Sequence, residues 1–550
     1  MGKILHVLAA VFLLSGAAEA KDSLVIGVAQ FPASLHPYIS SQTVQYFTIG
    51  FALRPVSAFD AAGNRVCLIC ETLPTLENGL AKIENLPEGA RGLAVTIKIR
   101  PGLAWGDGEP VTAKDIAFTW NLARQPTSGF ITTYAWSRAT GVDVVDDRTA
   151  VLHLDQTYVT YQMWDHLLPE HLEGKLAAAT GPTAAMDYIN HTNYAVSPLN
   201  PGLWNGPYVV SGYQSGVSVE LSPNPHWPGP APAIKHISVR LVDNTAALAA
   251  NLLSGDVDFS PSGIGITTDQ AVALERDHPE RFQFFYRKGL SYERIDMQEA
   301  NKPLADLRVR KALLLATDRK TLIDRLFYGH ATPALSWINE LEPNFTTDVP
   351  SYPFDPAQAR TLLKEAGYTP GPDGIGRNAA GDRLSFEFST TSGNRIRELS
   401  QQVMQNQWKA IGVEVFIKNQ PSRTFFGDTM RKRAFTGLAE YANSGRVGLP
   451  ATPYYSSRSI PTQANNYTGQ NWSGFNNPEM DRAMQAAEVE LDPAKQRALW
   501  TTMQTVYAAA LPELPLYFRQ DPDIVPAWLK GYEATGKEDY QSFYAENWHP

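Results

Sequence analysis

Cys67 and Cys70 are the two cysteines of the chain, and the run Cys67-Leu68-Ile69-Cys70 opens three chemistries: a redox centre, half of a zinc site, or a local disulfide. A redox centre wants its first cysteine at a helix N-terminus, which lowers the thiol pKa. Here an extended, β-branched segment precedes Cys67 and Pro74 follows Cys70. Zinc needs further ligands, and the sequence offers neither a second cysteine pair nor a histidine pair of suitable spacing. His166 and His171 are five apart with Pro169 between them, which is not a metalloprotease motif. A local disulfide is the favoured reading. So short a closed loop contributes only about 2 kcal/mol in the chain-entropy model.

Paired carboxylates are the next candidates. Asp256 with Asp258 and Glu488 with Glu490 have a spacing that could serve acid–base work. In a chain with 56 Asp and Glu residues such pairs arise by chance and sit on solvated faces. Gly-x-Ser-x-Gly and the Walker loop do not occur, and Gly263-Ile264-Gly265 lacks the third glycine of a dinucleotide fingerprint. The enzyme reading is left without a named residue, and no cofactor or metal is expected.

The elements that must position these residues are mixed α/β. Alternation marks strands at Leu93, Val95, Ile97 and Ile99, at Val217, Val219 and Leu221, at Leu384, Phe386 and Phe388, and at Val413, Val415 and Ile417. Thr112-Ala113-Lys114-Asp115 is a capping box that starts a helix with Ile116, Trp120 and Ala123 on one face. Asp355-Pro356, Asn477-Pro478 and Asp492-Pro493 place an N-cap before a proline at the first helical position. Ala359, Leu362, Leu363 and Ala366 form the buried stripe of the first of these helices, and Gly367 ends it. Leu499, Met503 and Val506 line the last. Gly/Pro-rich stretches at 198–207, 223–232 and 367–376 read as surface turns.

The 550 residues suffice for roughly three to four domains. With 43 % hydrophobic and 19 % charged residues, disorder is excluded as the main state. A net charge of −9 without a basic run argues against a nucleic-acid partner. Past the N-terminus no apolar stretch approaches the ~20 residues of a membrane span. Met1-Gly2-Lys3, the apolar run 4–14 and the small residues up to Ala20 form a signal peptide with a cut after Ala20. No cysteine adjoins the cut, so no lipid anchor is signalled. The expected compartment is oxidising, most simply a bacterial periplasm.

Residues 95–115, with Arg100-Pro101-Gly102-Leu103-Ala104-Trp105-Gly106-Asp107-Gly108-Glu109-Pro110-Val111-Thr112-Ala113-Lys114-Asp115, resemble a hallmark of the extracytoplasmic solute-binding proteins of ABC transporters of the dipeptide/oligopeptide type, family 5. Gly102 and Gly108 allow the turns, and Trp105 is a core anchor. The resemblance continues in order through Asn205-Gly206-Pro207-Tyr208, then 247–258 ending in Gly255-Asp256-Val257-Asp258. It runs on through 306–319, Glu365-Ala366-Gly367-Tyr368 and Leu514-Pro515-Leu516-Tyr517.

The resemblance implies a two-lobed periplasmic binding protein with an extra insertion domain and a ligand cleft between the lobes. Lobe I is expected at 22–56, 204–285 and 519–550, the insertion domain at 57–203 and lobe II at 286–518. Capture and closure are followed by delivery to a membrane ABC permease, by a monomer that performs no covalent chemistry. Ligand-facing residues implied by position in the family are Gln30 and Phe31, Tyr134 and Trp136, Ser422 and Arg431, Tyr441, Asn443 and Trp472, and Arg519. Peptide-binding members carry an aspartate in a Trp-x-x-Asp stretch that pairs with the peptide's ammonium. Here Ala439-Glu440-Tyr441-Ala442-Asn443 stands there, without the Trp or the Asp. Either Glu440 or another acid substitutes, since a buried unpaired ammonium costs several kcal/mol, or the ligand is not a zwitterionic peptide. The alternatives are a receptor for a sugar or opine, a sensor or chaperone on the same fold, and a secreted hydrolase.

Overall fold

The computed structural model describes residues 21–40, 42–125, 128–130, 136–177, 184–444, 447–449, 451–465, 467, 469–534 and 541–550. The expected signal peptide at 1–20 and Tyr134 lie outside them.

The apolar run after Asp22 forms β1 (Ser23–Val28), with Leu24, Ile26 and Val28 buried. The chain then builds an inserted antiparallel sheet from β2 (Ala81–Asn85), β3 (Arg91–Lys98), β4 (Ala139–Asp146) and β5 (Thr149–Leu154), in the order β2-β3-β5-β4. The alternation in β3 puts Leu93, Val95 and Ile97 in the core, while Ile99 lies beyond the strand and bridges Cys70. Between β3 and β4 runs α1 (Ala113–Ala123), opened by the expected capping box. Asp115 accepts from the Thr112 amide at 2.8 Å and from Trp105 Nε1 at 3.3 Å, which ties the buried indole to the helix start.

The chain returns at Asn205-Gly206-Pro207-Tyr208. A Cβ on Gly206 would lie 2.8 Å from the Ala52 carbonyl, so only glycine lets the backbone donate to it at 2.7 Å. β6 (Tyr208–Gln214), β7 (Ser218–Pro223) and β8 (His236–Leu241) complete a sheet in the order β1-β8-β7-β6, with β1 and β8 parallel. Val217 is not in β7 as the alternation predicts. Its amide closes a turn on Gln214, and its side chain is 43 % exposed. The helix α2 (Thr245–Ser254) stops at Gly255, whose φ of 88° is the left-handed C-cap.

After β9 (Phe282–Tyr286) the chain enters a second lobe. Its elements are β10 (Ser291–Met297), α3 (Leu307–Leu315), β11 (Ala331–Pro333), α4 (Pro356–Glu365), β12 (Ser385–Ser389), α5 (Arg395–Lys409), β13 (Glu414–Ile417), β14 (Leu438–Ser444), α6 (Pro478–Val489), α7 (Pro493–Ala510) and β15 (Glu513–Arg519). The sheet order is β11-β15-β10-β14-β12-β13. Asp355, Asn477 and Asp492 cap α4, α6 and α7, each side chain accepting two backbone N–H groups ahead of a proline. Such a cap stabilises by about 1 kcal/mol.

The last strand, β16 (Pro522–Pro526), runs back to pair with β9. Antiparallel pairs β9–β16 and β10–β15 are therefore two stretches of one ribbon. Both of its strands are interrupted between the lobes, at 287–290 and 520–521. Bridges Ile26–Phe259 and Ser260–Ile524 join the ribbon to the first-lobe sheet.

Candidate functional site

Register decides which side chains of the second-lobe sheet can meet. In β10, Tyr292, Arg294 and Asp296 point to one face and Glu293, Ile295 and Met297 to the other. Arg294 lies opposite Tyr441, Ile295 opposite Glu440 and Asp296 opposite Glu513.

On the first face the Arg294 Nε stands 2.9 Å from both Asp296 Oδ1 and Glu513 Oε2. Its Nη2 donates to the Tyr441 hydroxyl, which donates to Asp296 Oδ2, both at 2.6 Å. Tyr455 and Tyr507 donate to Glu513 Oε1 at 2.7 and 2.9 Å. The Asn443 amide, with its oxygen turned to Arg294, accepts from the same guanidinium. Burial alone would lower the Arg294 pKa, yet Glu513, Tyr441 and Asp296 hold it well above its ordinary value. Burial pushes Glu513 up to about 7, against the pull of Arg294.

Over this network lies an aromatic wall. The Tyr441 ring is 5.2 Å from Trp472 and 5.9 Å from Phe426, and Phe426 is 6.1 Å from Trp472. Phe425 and Phe426 open a π-helical turn, Phe425–Met430, a form found disproportionately at functional sites. Arg433 Nε holds the Trp472 carbonyl at 2.9 Å. The buried Trp472 Nε1 has no hydrogen-bond partner among the described residues. Ser422 and Arg431, at the two ends of the same segment, are exposed.

The opposite face has different chemistry. Arg397 on α5 grips Glu293 through Nε at 3.2 Å and Nη2 at 2.8 Å, and Arg519 Nη1 is 3.7 Å from Glu293. Glu440 is fully buried beside this pair. The Ser400 hydroxyl on α5 is the polar neighbour of both its carboxyl group and the Tyr517 hydroxyl. Burial and the Glu293 charge push the Glu440 pKa well above the usual carboxylate range, with Arg397 opposing. Glu440 thus lies in the lobe core, where its surroundings disfavour the charged form.

Several expected ligand-facing residues are brought together and others are not. Tyr441, Asn443 and Trp472 converge on one face with Phe425 and Phe426, whereas Ser422 and Arg431 flank that segment and are exposed. Glu440 is corrected to a core residue, because one step along a strand reverses the side chain. Trp136 is corrected likewise: it is fully buried, donating from Nε1 to Tyr38 Oη at 2.8 Å and packing 5.3 Å from Trp164. Gln30 is exposed, and Phe31 packs 5.9 Å from Tyr213. Arg519 sits where β15 reaches the lobe crossing, pairing with Asp521 at 3.4 Å as well as with Glu293. Cys67 and Cys70 are joined in a disulfide, and Arg100 Nη2 donates to the Cys67 and Cys70 carbonyls at 2.9 and 3.3 Å. Among the described residues no group of His, Cys, Asp and Glu is arranged to hold a metal ion, and no helix is long and apolar enough to cross a membrane.

The family described as bacterial extracellular solute-binding proteins, family 5 (middle region), matches residues 79–495. The chain belongs to family 5 of these solute-binding proteins. It is 26 % identical over 502 residues to Protein XP55 of Streptomyces lividans, covering 90 % of this chain and 83 % of that one. Among solved structures it is similar to the oligopeptide binding protein from Thermus thermophilus complexed with pentapeptide, at 29 % identity, TM-score 0.78 and 96 % coverage of both chains. NikZ from Campylobacter jejuni in complex with Ni(L-His) shares the fold at 18 % identity and TM-score 0.75, covering 96 % of this chain and 100 % of that one.

In this family 5 chain, sequence reasoning missed Arg294, Asp296 and Glu513. The sequence marks only the strand, in which Tyr292, Arg294 and Asp296 alternate with Glu293, Ile295 and Met297, and not the partners of its charges. A strand with charges on both faces reads as exposed, but here both faces are covered. The charges are buried because Arg294 pairs with Asp296 on its own strand and with Glu513 on the neighbouring one.

Proposed function

We propose that this chain is an exported receptor that encloses a peptide between its lobes and delivers it to a membrane ABC permease. The observation that carries the reading is the ribbon of β9–β16 and β10–β15, broken in both strands at 287–290 and 520–521. Two short crossings can absorb a change of backbone dihedrals while each sheet stays intact, which is the geometry of hinge closure. Peptide as the ligand class draws support from the Thermus relative solved with a pentapeptide. Phe426 and Trp472, half-buried and backed by the buried Tyr441 ring, offer stacking and apolar contact to side chains. The lobe boundaries follow the interruptions, with residues 57–203 as an insertion on lobe I. Residues 1–20 direct export to the periplasm, where the Cys67–Cys70 disulfide persists. The receptor works as a monomer and carries out no covalent step.

A second reading, a non-peptide solute such as a sugar or opine, is favoured by the placement of Glu440. Its carboxyl faces α5 and gives a ligand ammonium no counter-charge on the side of the aromatic wall. Mass spectrometry of small molecules released by denaturing protein purified without added ligand separates the two. Peptides are the expected release. A sugar or opine without peptide would replace the ligand class, and turnover of bound peptide would overturn the receptor reading.

A further inference from the structure

The end of α6 is completed by another part of the molecule. A helix leaves its last four carbonyls without intrahelical partners, and beyond Val489 the backbone of Glu490 turns extended. The Ala486 carbonyl takes the Glu490 amide, and the Ala487 carbonyl takes Gln496 Nε2. The other two are taken from across the molecule, by the segment that follows β5 in the inserted unit. Val159 N–H donates to the Glu488 carbonyl at 2.9 Å, and Thr157 Oγ1 donates to the Val489 carbonyl at 2.7 Å.

The side chain of Glu488 adds to the contact. One oxygen accepts from Thr452 Oγ1 at 2.8 Å, and the other stands 3.9 Å from Arg138 Nη2. The Arg138 guanidinium lies 3.8 Å over the Tyr158 ring and donates to Thr160 Oγ1 at 3.4 Å. It thereby holds residues 157–160 in the shape that presents Thr157 and Val159 to the helix end. Arg138 and Glu488 are only 14 % and 22 % exposed, so their attraction is screened less than that of a surface pair. This non-covalent link joins the second lobe to the rest of the chain at a place other than the two covalent crossings.

We propose that Thr157 and Val159, braced by Arg138, latch the inserted unit to the C-terminal end of α6 and so hold the clamp shut. The proposal rests on the receptor reading above. These are positioning residues: they act on closure and touch no ligand. Their bonds exist only while the lobes are together, so the latch slows opening and release while leaving encounter unchanged. Because the link engages backbone carbonyls, it works alike for every ligand the cleft admits.

The test pairs Thr157→Val and Glu488→Ala, singly and together, with Thr157→Ser as the conservative rescue. Three readouts are taken: amide exchange of residues 155–161, the distance distribution between nitroxide labels on the inserted unit and on α7, and the release rate of a synthetic tripeptide pool. In the double variant exchange should rise by at least about threefold, and the short-distance population should shrink. Release should quicken by roughly threefold to tenfold, the loss of one or two net hydrogen bonds, with association unchanged. Thr157→Ser should behave as wild type. Unchanged exchange and distances in the double variant would overturn the latch while two wild-type distance populations keep the clamp. A single wild-type population whatever is added would overturn the clamp and the latch with it. Equal effects of Thr157→Ser and Thr157→Val would also sink the proposal, since the hydroxyl is then irrelevant.

Discussion

Glu440 and Tyr441 are adjacent in sequence and point to opposite faces of the second-lobe sheet. Tyr441 supports the aromatic wall and hydrogen-bonds Asp296, whereas Glu440 is sealed against α5 beside Glu293 and Arg397.

Glu440→Gln is therefore expected to leave ligand affinity within about twofold of wild type, since the side chain lies on the face of the sheet away from the aromatic wall. Trp472→Ala removes a stacking surface and should weaken binding by about 1–3 kcal/mol. Calorimetry with the co-purified ligand measures both. A large loss in Glu440→Gln with none in Trp472→Ala would reverse the assignment of the two faces.

The pair Glu293–Arg397 is buried on both sides, so removing one partner strands a charge. Arg397→Met should cost about 3–5 kcal/mol of unfolding free energy. The exposed pair Lys418–Glu387 is the control, and Lys418→Ala should stay within about 0.5 kcal/mol. Urea midpoints of the two variants decide; equal small losses would show that the Arg397 pair is solvated.

Acid titration should carry the mark of Glu513. Its folded pKa of about 7 lies above the ordinary 4.5, so between those values the native chain binds the extra proton. Stability from this group is present below pH 4.5 and is lost as pH rises to about 7. Asp115 and Asp523, each pushed up to about 6 by burial, act in the same direction. His36, lowered to about 3 by burial, acts oppositely, losing stability as pH falls below 6.5. Glu513→Gln should lower stability overall, by weakening the Arg294 pair, yet flatten the decline between about pH 5 and 7. Parallel pH profiles for wild type and variant would exclude Glu513 as the titrating group.

Reduction of Cys67–Cys70 should lower the melting temperature only slightly. The closed loop is short, and chain entropy assigns it about 2 kcal/mol. Two reactive thiols in freshly isolated protein, detected by thiol titration, would contradict the bonded pair.

Much of the local structure was legible in the sequence because its causes act within four residues. Thr112 with Asp115, Asp355, Asn477 and Asp492 satisfy helix amides a turn away, so the cap is written where the helix starts. Alternation in β3 and β12 likewise reports burial directly, and the ordered motifs from Trp105 to Tyr517 carried the family. What the sequence could not decide is which face of a strand meets the ligand side. That depends on register across strands more than a hundred residues apart, as in Arg294 with Tyr441, and a shift of one residue exchanges the faces. Glu440 falls on the face opposite its neighbour Tyr441 for that reason. The Arg294–Asp296–Glu513 network and the seat of Val159 on Glu488 were beyond reach for the same physical cause. A buried charge or an uncapped carbonyl states that it needs a partner, and only the tertiary fold says which distant residue supplies it.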